Sequence, residues 1–139
     1  MKLLIPLLLI YSSLFAQTTY KSLASEYYYL NYEEPSKIEW LERDIIISDR
    51  NIVVKSFGRE AIDIQSWTVQ RKKKIVSNNE TLEVIDVFLS SGEEHEYPAT
   101  FTIIHPHDGN VEIITCEIPP DSVLKLADGA PITVRLFID

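Results

Sequence analysis

The sequence of 139 residues contains one cysteine and only four glycines. A single cysteine cannot form a disulfide within its own chain, so stability has to come from the core. The strand alternation places Cys116 on the same face as Ile114 and Ile118, which favours a buried, inert thiol over an intermolecular disulfide or a reactive group. No phosphate-binding glycine loop, Gly-x-Ser-x-Gly motif, His-Glu-x-x-His motif or zinc-binding cysteine pair is present. The common motifs of hydrolases and nucleotide-binding proteins are therefore absent.

Positive charge is also scarce, with 13 basic and 21 acidic residues and a net charge of −8. An acidic surface of this kind repels nucleic acid and anionic membranes. The one basic run is "RKKK", from Arg71 to Lys74, and it lacks the interleaved aromatic residues of a nucleic-acid site. We interpret it as a solvated loop that blunts the edge of a sheet. The sequence predicts no nucleic-acid partner.

The N-terminus has the pattern of a secretory signal peptide over residues 1–16. Lys2 precedes the apolar run "LLIPLLLIYSSLF", and Ala16 offers a small residue for cleavage, with Ala24 as a second site. The run is shorter than the roughly 20 apolar residues of a membrane-spanning helix. A membrane anchor or an N-terminal core helix is the alternative. We expect a secreted or periplasmic protein without a stable membrane anchor after cleavage, and the lack of a cysteine after the run excludes a bacterial lipoprotein.

Residues 17–36 form a tyrosine-rich lead-in, "QTTYKSLASEYYYLNYEEPS", without clear alternation. A disordered segment, a short helix over residues 22–31 and an aromatic strand all remain open. Tyr28 and Tyr29, with Trp67 further along, are candidate ligand-binding residues because aromatic rings present flat apolar faces. The alternative is that these rings cover one end of a small core.

Residues 37–139 show the two-residue period of β-strands. Seven or eight short runs bounded by turn residues predict one all-β domain, an antiparallel β-sandwich or small barrel connected by hairpins. In "EAIDIQSWTVQ" the alternation places Asp63 and Trp67 on one face and Ile62 and Ile64 on the other. Only "DSVLKLAD" allows one or two helical turns.

The layout resembles that of small exported bacterial all-β proteins of unknown function. The residues that carry the resemblance are the signal ending in Phe-Ala-Gln, the stretch "RDIIISDRNIVVKSF", and paired hairpins around Asp128-Gly129. The resemblance implies export and an all-β fold, and it assigns no catalytic residue. A lipocalin-like calyx is a related possibility, although the chain is short and has no Gly-x-Trp near its start.

Asp63 and Asp86 are the best candidates for catalytic carboxylates, because each interrupts an otherwise apolar strand. A glycosidase needs two carboxyl groups that face each other across the substrate, and Trp67 on the Asp63 face could stack on a sugar. The alternative is that both acids belong to the solvent-facing half of an alternating strand.

The stretch "FTIIHPHDGNVEII" raises the question of a metal site. His105 and His107 have the spacing of two ligands on one strand face, and His95 in the preceding loop could supply a third. Pro106 and the sequence "PHDG" instead favour a type I turn at the tip of a hairpin. We favour the hairpin and predict no metal or other cofactor.

Two classes of function follow from these patterns. The first is a non-catalytic binding or structural module outside the cytoplasm, with a protein, a glycan or a small molecule as its partner. The second is a small carboxylate-dependent hydrolase that acts on glycans. The absence of catalytic motifs favours the first class.

Overall fold

The computed structural model describes residues 17–29, 37–89, 98–119 and 131–139. The predicted signal peptide over residues 1–16, the candidate metal ligand His95 and the possible helix in "DSVLKLAD" lie outside the described residues. Within these ranges there is no helix long and apolar enough to cross a bilayer.

Eight antiparallel strands form a closed barrel in sequence order. The barrel closes because the first strand pairs with the last as well as with the second. The predicted all-β, hairpin-connected fold is confirmed, and of the two predicted architectures the barrel is the one present. The strands are β1 (Gln17–Tyr29), β2 (Glu39–Ser48), β3 (Asn51–Phe57), β4 (Ile62–Val76), β5 (Glu80–Leu89), β6 (Pro98–Pro106), β7 (Ile113–Glu117) and β8 (Pro131–Ile138).

The core lies inside the barrel. Successive side chains of a strand point to opposite faces, so every second residue of each strand faces the barrel interior. On β2, for example, Ile45 and Ile47 are buried and Ile46 is only partly buried. The core cluster contains Ile45, Ile47, Ile52, Val54, Trp67, Ile85, Val87, Leu89, Ala99, Phe101, Ile103, Ile114, Cys116 and Leu136.

Strand β1 comes from the tyrosine-rich segment. Of the three alternatives for this segment, a disordered stretch, a helix or a strand, residues 17–29 form the strand. Its register shifts between Ser22 and Ala24 on both sides, which marks a β-bulge. Ser22 and Ser25 are fully buried at this bulge, and the Ser22 hydroxyl donates a hydrogen bond to the Ala24 carbonyl over 2.9 Å. Small side chains let β1 lie close to the interior while it joins β2 to β8.

The two ends of the barrel have connections of different length. We call the end where β1 finishes and β2 starts the upper mouth, and the opposite end the lower mouth. Residues 49–50, 77–79 and 107–112 connect strands at the lower mouth. Three of the four connections at the upper mouth are longer than any of these. Because loops often carry the binding residues of β-barrels, we expect a binding site at the upper mouth.

The β6–β7 connection contains the "PHDG" sequence. Thr100–Ile103 of β6 pair with Ile114–Glu117 of β7, so the two apolar runs form a hairpin as predicted. Gly109 has a φ of 108°, a backbone conformation that residues with a Cβ rarely adopt.

Candidate functional site

A cavity of about 250 Å³ opens inside the barrel at the upper mouth. An apolar cavity of 150 Å³ binds benzene, so this one has room for a somewhat larger molecule. Its apolar lining consists of Val54, Trp67, Phe101, Cys116, Ile118, Pro131, Val134 and Leu136, and its polar lining consists of Tyr27, Arg43, Ser56, Asp63 and Gln65. An apolar pocket with a few polar groups is the usual composition of a small-molecule site.

Two aromatic side chains form the floor of the cavity. Trp67 on β4 and Phe101 on β6 both face inward and are 2% and 1% exposed. Their ring centroids lie 5.6 Å apart with an angle of 75° between the planes, an edge-to-face contact. The two packed rings give the floor an apolar surface.

Arg43 brings a charged group into the barrel interior. It shares the inward face of β2 with Ile45 and Ile47, and its side chain is only 10% exposed. The guanidinium donates hydrogen bonds from Nε to Ser56 Oγ over 3.1 Å and from Nη1 to Ser25 Oγ over 2.9 Å. A buried charge is tolerated only with such partners.

The second guanidinium nitrogen completes the network around Arg43. Nη2 donates to the Tyr27 hydroxyl over 2.7 Å and to Glu39 Oε1 over 2.8 Å. These bonds use four of the five N–H donors of the guanidinium. One hydrogen on Nη1 has no hydrogen-bond partner among the described residues.

The charge of Arg43 is balanced by Glu39. Burial acts to raise the pKa of Glu39, but the hydrogen bonds from Tyr27 and Arg43 and the positive charge of Arg43 outweigh it, so the pKa lies below its ordinary value. Burial raises the pKa of Tyr27, which keeps its hydroxyl protonated and donating to Glu39 over 2.8 Å. At neutral pH the cluster holds one positive and one negative charge.

Gln65 and Asp63 supply the remaining polar groups of the cavity. Both lie on the inward face of β4, two and four positions before Trp67. Within the described ranges neither side chain forms a hydrogen bond or an ion pair. An amide donates and accepts hydrogen bonds and a carboxylate accepts them, so both groups are available to a ligand.

The structure does not bring Asp63 and Asp86 together. Asp63 faces the cavity, whereas Asp86 lies between the inward residues Ile85 and Val87 and therefore points outward. Asp86 accepts hydrogen bonds from Arg71 Nη2 over 2.8 Å and from Thr100 Oγ1 over 3.0 Å. The two carboxylates cannot act on one substrate as a facing pair in this arrangement.

The three aromatic candidates lie in different places. Trp67 is part of the cavity floor, but Tyr28 packs against Arg135, with the guanidinium carbon 5.6 Å from the ring centroid. Tyr29 contacts the ring of Tyr27 at 6.5 Å between centroids. Among the described tyrosines of this segment, Tyr27 lines the cavity.

His105 and His107 form hydrogen bonds with residues of a neighbouring strand and loop. His105 Nε2 lies 3.0 Å from Glu83 Oε2, and His107 contacts Thr81 Oγ1 at 3.3 Å and the Asn78 carbonyl oxygen at 3.1 Å. Among the described residues there is no group of three or more histidine, cysteine, aspartate or glutamate residues that could hold a metal ion.

Sequence reasoning overlooked Arg43 and Gln65 as site residues, and it chose Tyr28 and Tyr29 rather than their neighbour Tyr27. The signal for Arg43 is present in "ERDIIIS", where it stands two and four positions before Ile45 and Ile47 and so shares their face. A basic residue on the apolar face of a strand indicates a buried charge that requires partners.

Cys116 also lines the cavity and is buried. Burial, with a smaller effect of the Glu117 charge, raises the pKa of its thiol to about 12. A protonated thiol is a poor nucleophile, so the cavity contains no activated cysteine.

Comparisons with protein-family models, curated proteins and solved structures give no significant match to this chain.

Proposed function

We propose that this chain is an exported, non-catalytic binding module that holds a small molecule in the cavity at the upper mouth. The observation that carries the proposal is the composition of this cavity, an apolar floor beneath a set of hydrogen-bonding side chains. Export is inferred from the signal-like residues 1–16.

The cavity lining suggests the chemistry of the ligand. An apolar or aromatic body of roughly ten non-hydrogen atoms suits the volume, on the scale of benzene in a 150 Å³ cavity. Trp67 and Phe101 offer it an apolar contact surface. A polar head group would meet the amide of Gln65 and the remaining Nη1 hydrogen of Arg43, which together supply donors and an acceptor.

The carboxylate-dependent hydrolase has no support from the geometry. Asp63 and Asp86 lie on opposite faces of the sheet, and Asp86 is occupied by Arg71 and Thr100. A binding role requires no such pair.

Ligand binding can be measured by the fluorescence of Trp67. A Trp40→Phe variant of residues 17–139 removes the second tryptophan, which is 78% exposed. The probes are toluene, benzyl alcohol and 4-methylbenzoate, which do not absorb at the long-wavelength edge of tryptophan excitation, with glucose as a probe that lacks an apolar body. We expect saturable changes in fluorescence with the aromatic probes and none with glucose.

A pair of neighbouring substitutions tests whether the cavity is the site. Val54→Phe fills the cavity from its lining, whereas Val53→Phe adds the same ring on the outer face of β3. We expect Val54→Phe to weaken binding at least tenfold and Val53→Phe to leave it unchanged. Equal binding by both variants, or no binding of any aromatic probe, would refute the proposal.

A further inference from the structure

Strand β4 extends beyond its neighbour β3. Its pairing with β3 ends where Thr68 meets Asn51, and the Val69 amide makes the last hydrogen bond, to the Arg50 carbonyl over 2.8 Å. Beyond this point β4 continues to Val76, paired with β5 on one side only. The expectation that the "RKKK" run lies in a loop is wrong, because the run is part of strand β4. From Lys72 onward it lies at an edge of the sheet.

The backbone of this edge has open hydrogen-bonding groups. The Ser77 amide donates to the Glu80 carbonyl over 2.9 Å, so it points toward β5. Because successive backbone groups alternate in direction, the amides of Lys72, Lys74 and Val76 point the other way. Within the described part of the chain nothing pairs with them. The segment from Lys72 to Val76 is as long as a typical β-strand.

The edge also concentrates positive charge in an acidic protein. Arg71 forms an ion pair with Asp86 over 2.8 Å, and Lys72 forms one with Asp49 over 3.2 Å. Lys73 and Lys74 form no ion pair with a described residue, and both are exposed. Two positive charges that form no ion pair with a described residue therefore flank the open backbone groups.

We propose that the edge of β4 from Lys72 to Val76 binds an extended, acidic segment of another polypeptide, which adds to the sheet as a further strand. Main-chain hydrogen bonds supply affinity in this mode of binding, and side-chain charge supplies selectivity. The exposed side chains of Ile75 (46%) and Val76 (73%) offer apolar contact at the end of the edge.

A second copy of this chain fits the edge poorly. Antiparallel pairing of two such edges would set lysines directly opposite lysines, and like charges in that position are destabilising. The same lysines keep the unoccupied edge from aggregating. Charge complementarity thus selects an acidic partner and disfavours self-association.

Hydrogen exchange of single amides tests the pairing directly. The probe is a capped ten-residue peptide of alternating glutamate and valine, added to residues 17–139. We expect amide exchange at Lys72, Lys74 and Val76 to slow at least tenfold. The amides of Lys73 and Ile75 already donate toward β5, so we expect little change there. The same peptide N-methylated at alternate residues keeps its charge but cannot pair, and we expect it to bind at least tenfold more weakly.

Substitutions separate the edge from general electrostatic attraction. Lys73→Glu and Arg59→Glu change the net charge equally, but Arg59 is exposed in the β3–β4 connection at the upper mouth. We expect Lys73→Glu to weaken peptide binding at least tenfold and Arg59→Glu to change it less than threefold. Both positions are on the surface, so loss of the fold is not a concern.

Several outcomes would overturn the proposal. Equal binding of the methylated peptide, or equal effects of the two substitutions, would reduce the interaction to nonspecific charge attraction. Protection of Lys72, Lys74 and Val76 that rises with protein concentration without peptide would assign the edge to a second copy. Absence of binding by the acidic peptide at millimolar concentration would remove the site altogether.

Discussion

At the scale of single residues, Arg43 is the buried charged side chain among the described residues, and it depends on its hydrogen-bond partners. Arg43 reaches Ser25, Tyr27, Glu39 and Ser56, which come from three different strands. Ser25 is fully buried, so the loss of Arg43 would leave its hydroxyl without this partner. The same residue thus ties β1, β2 and β3 together and contributes a hydrogen-bond donor to the cavity.

Asp86 offers a prediction about pH. The hydrogen bond from Arg71 lowers the pKa of Asp86, the bond from Thr100 and the charges of Arg71 and Lys73 lower it further, and burial opposes them. A carboxyl group whose pKa is lower in the folded state stabilises the fold above its unfolded pKa of about 3.9. This contribution is lost as the pH falls through the lower, folded pKa. Since Arg71 is largely exposed, we expect Asp86→Asn to cost at most about 1 kcal/mol at pH 7.

The difference in free energy of unfolding between wild type and Asp86→Asn should narrow as the pH falls toward 2. Urea unfolding at several pH values measures it. Asp63→Asn is the matched control, because Asp63 forms no hydrogen bond or ion pair with a described residue, and we expect a change below about 0.5 kcal/mol. A difference for Asp86→Asn that stays constant between pH 7 and pH 2 would contradict the assigned interaction.

At the scale of elements, the β6–β7 connection depends on one glycine. Gly109 has a φ of 108°, and a Cβ added there would meet no atom within 4 Å, so any cost of substitution is conformational. We expect Gly109→Ala to destabilise the protein by about 1–2 kcal/mol, measured by urea unfolding. The neighbouring exposed Asn110→Ala should change stability by less than about 0.5 kcal/mol. Equal effects would show that the backbone conformation of Gly109 is not the cause.

The strands and their faces were largely predictable from sequence, because the two-residue period is a local property. The alternation in "EAIDIQSWTVQ" separated Asp63, Gln65 and Trp67 from Ile62 and Ile64, and the structure keeps these two faces. Hydrophobicity alone would bury the isoleucines, yet Ile62 is 58% and Ile64 53% exposed. The neighbouring strands determine which face of β4 points inward, because Trp67 on that face packs against Phe101 of β6.

The closure of the barrel and the cavity network were beyond the reach of sequence patterns. The pairing of β1 with β8 joins the two ends of the described chain, and a local hydrophobic period carries no information about it. "YKSLASEYYY" lacks alternation because the bulge between Ser22 and Ala24 shifts the register within the strand. Arg43 could have been flagged as a buried charge, but its four partners become visible only when three strands are placed side by side.

At the scale of the whole molecule, β4 serves two separate regions. Its first half lines the cavity with Asp63, Gln65 and Trp67, and its second half forms the open edge from Lys72 to Val76. The register shift after Val69 separates the two halves. The two proposed sites, for a small molecule at the upper mouth and for a polypeptide near the lower mouth, would therefore share one strand.

The closed barrel predicts which truncation the fold tolerates. β1 pairs with β2 and with β8, so removing residues 1–36 would open two strand edges at once and expose inward residues such as Ile45 and Leu136. We expect residues 37–139 to lose cooperative thermal unfolding and to bind a hydrophobic dye such as anilinonaphthalene sulfonate, because exposed core surface binds such dyes. Residues 17–139 should unfold in one cooperative transition with a near-ultraviolet circular dichroism signal from Trp67. If residues 37–139 also gave that signal and a cooperative transition, β1 would be dispensable, and closure through the tyrosine-rich segment would not be what stabilises the barrel.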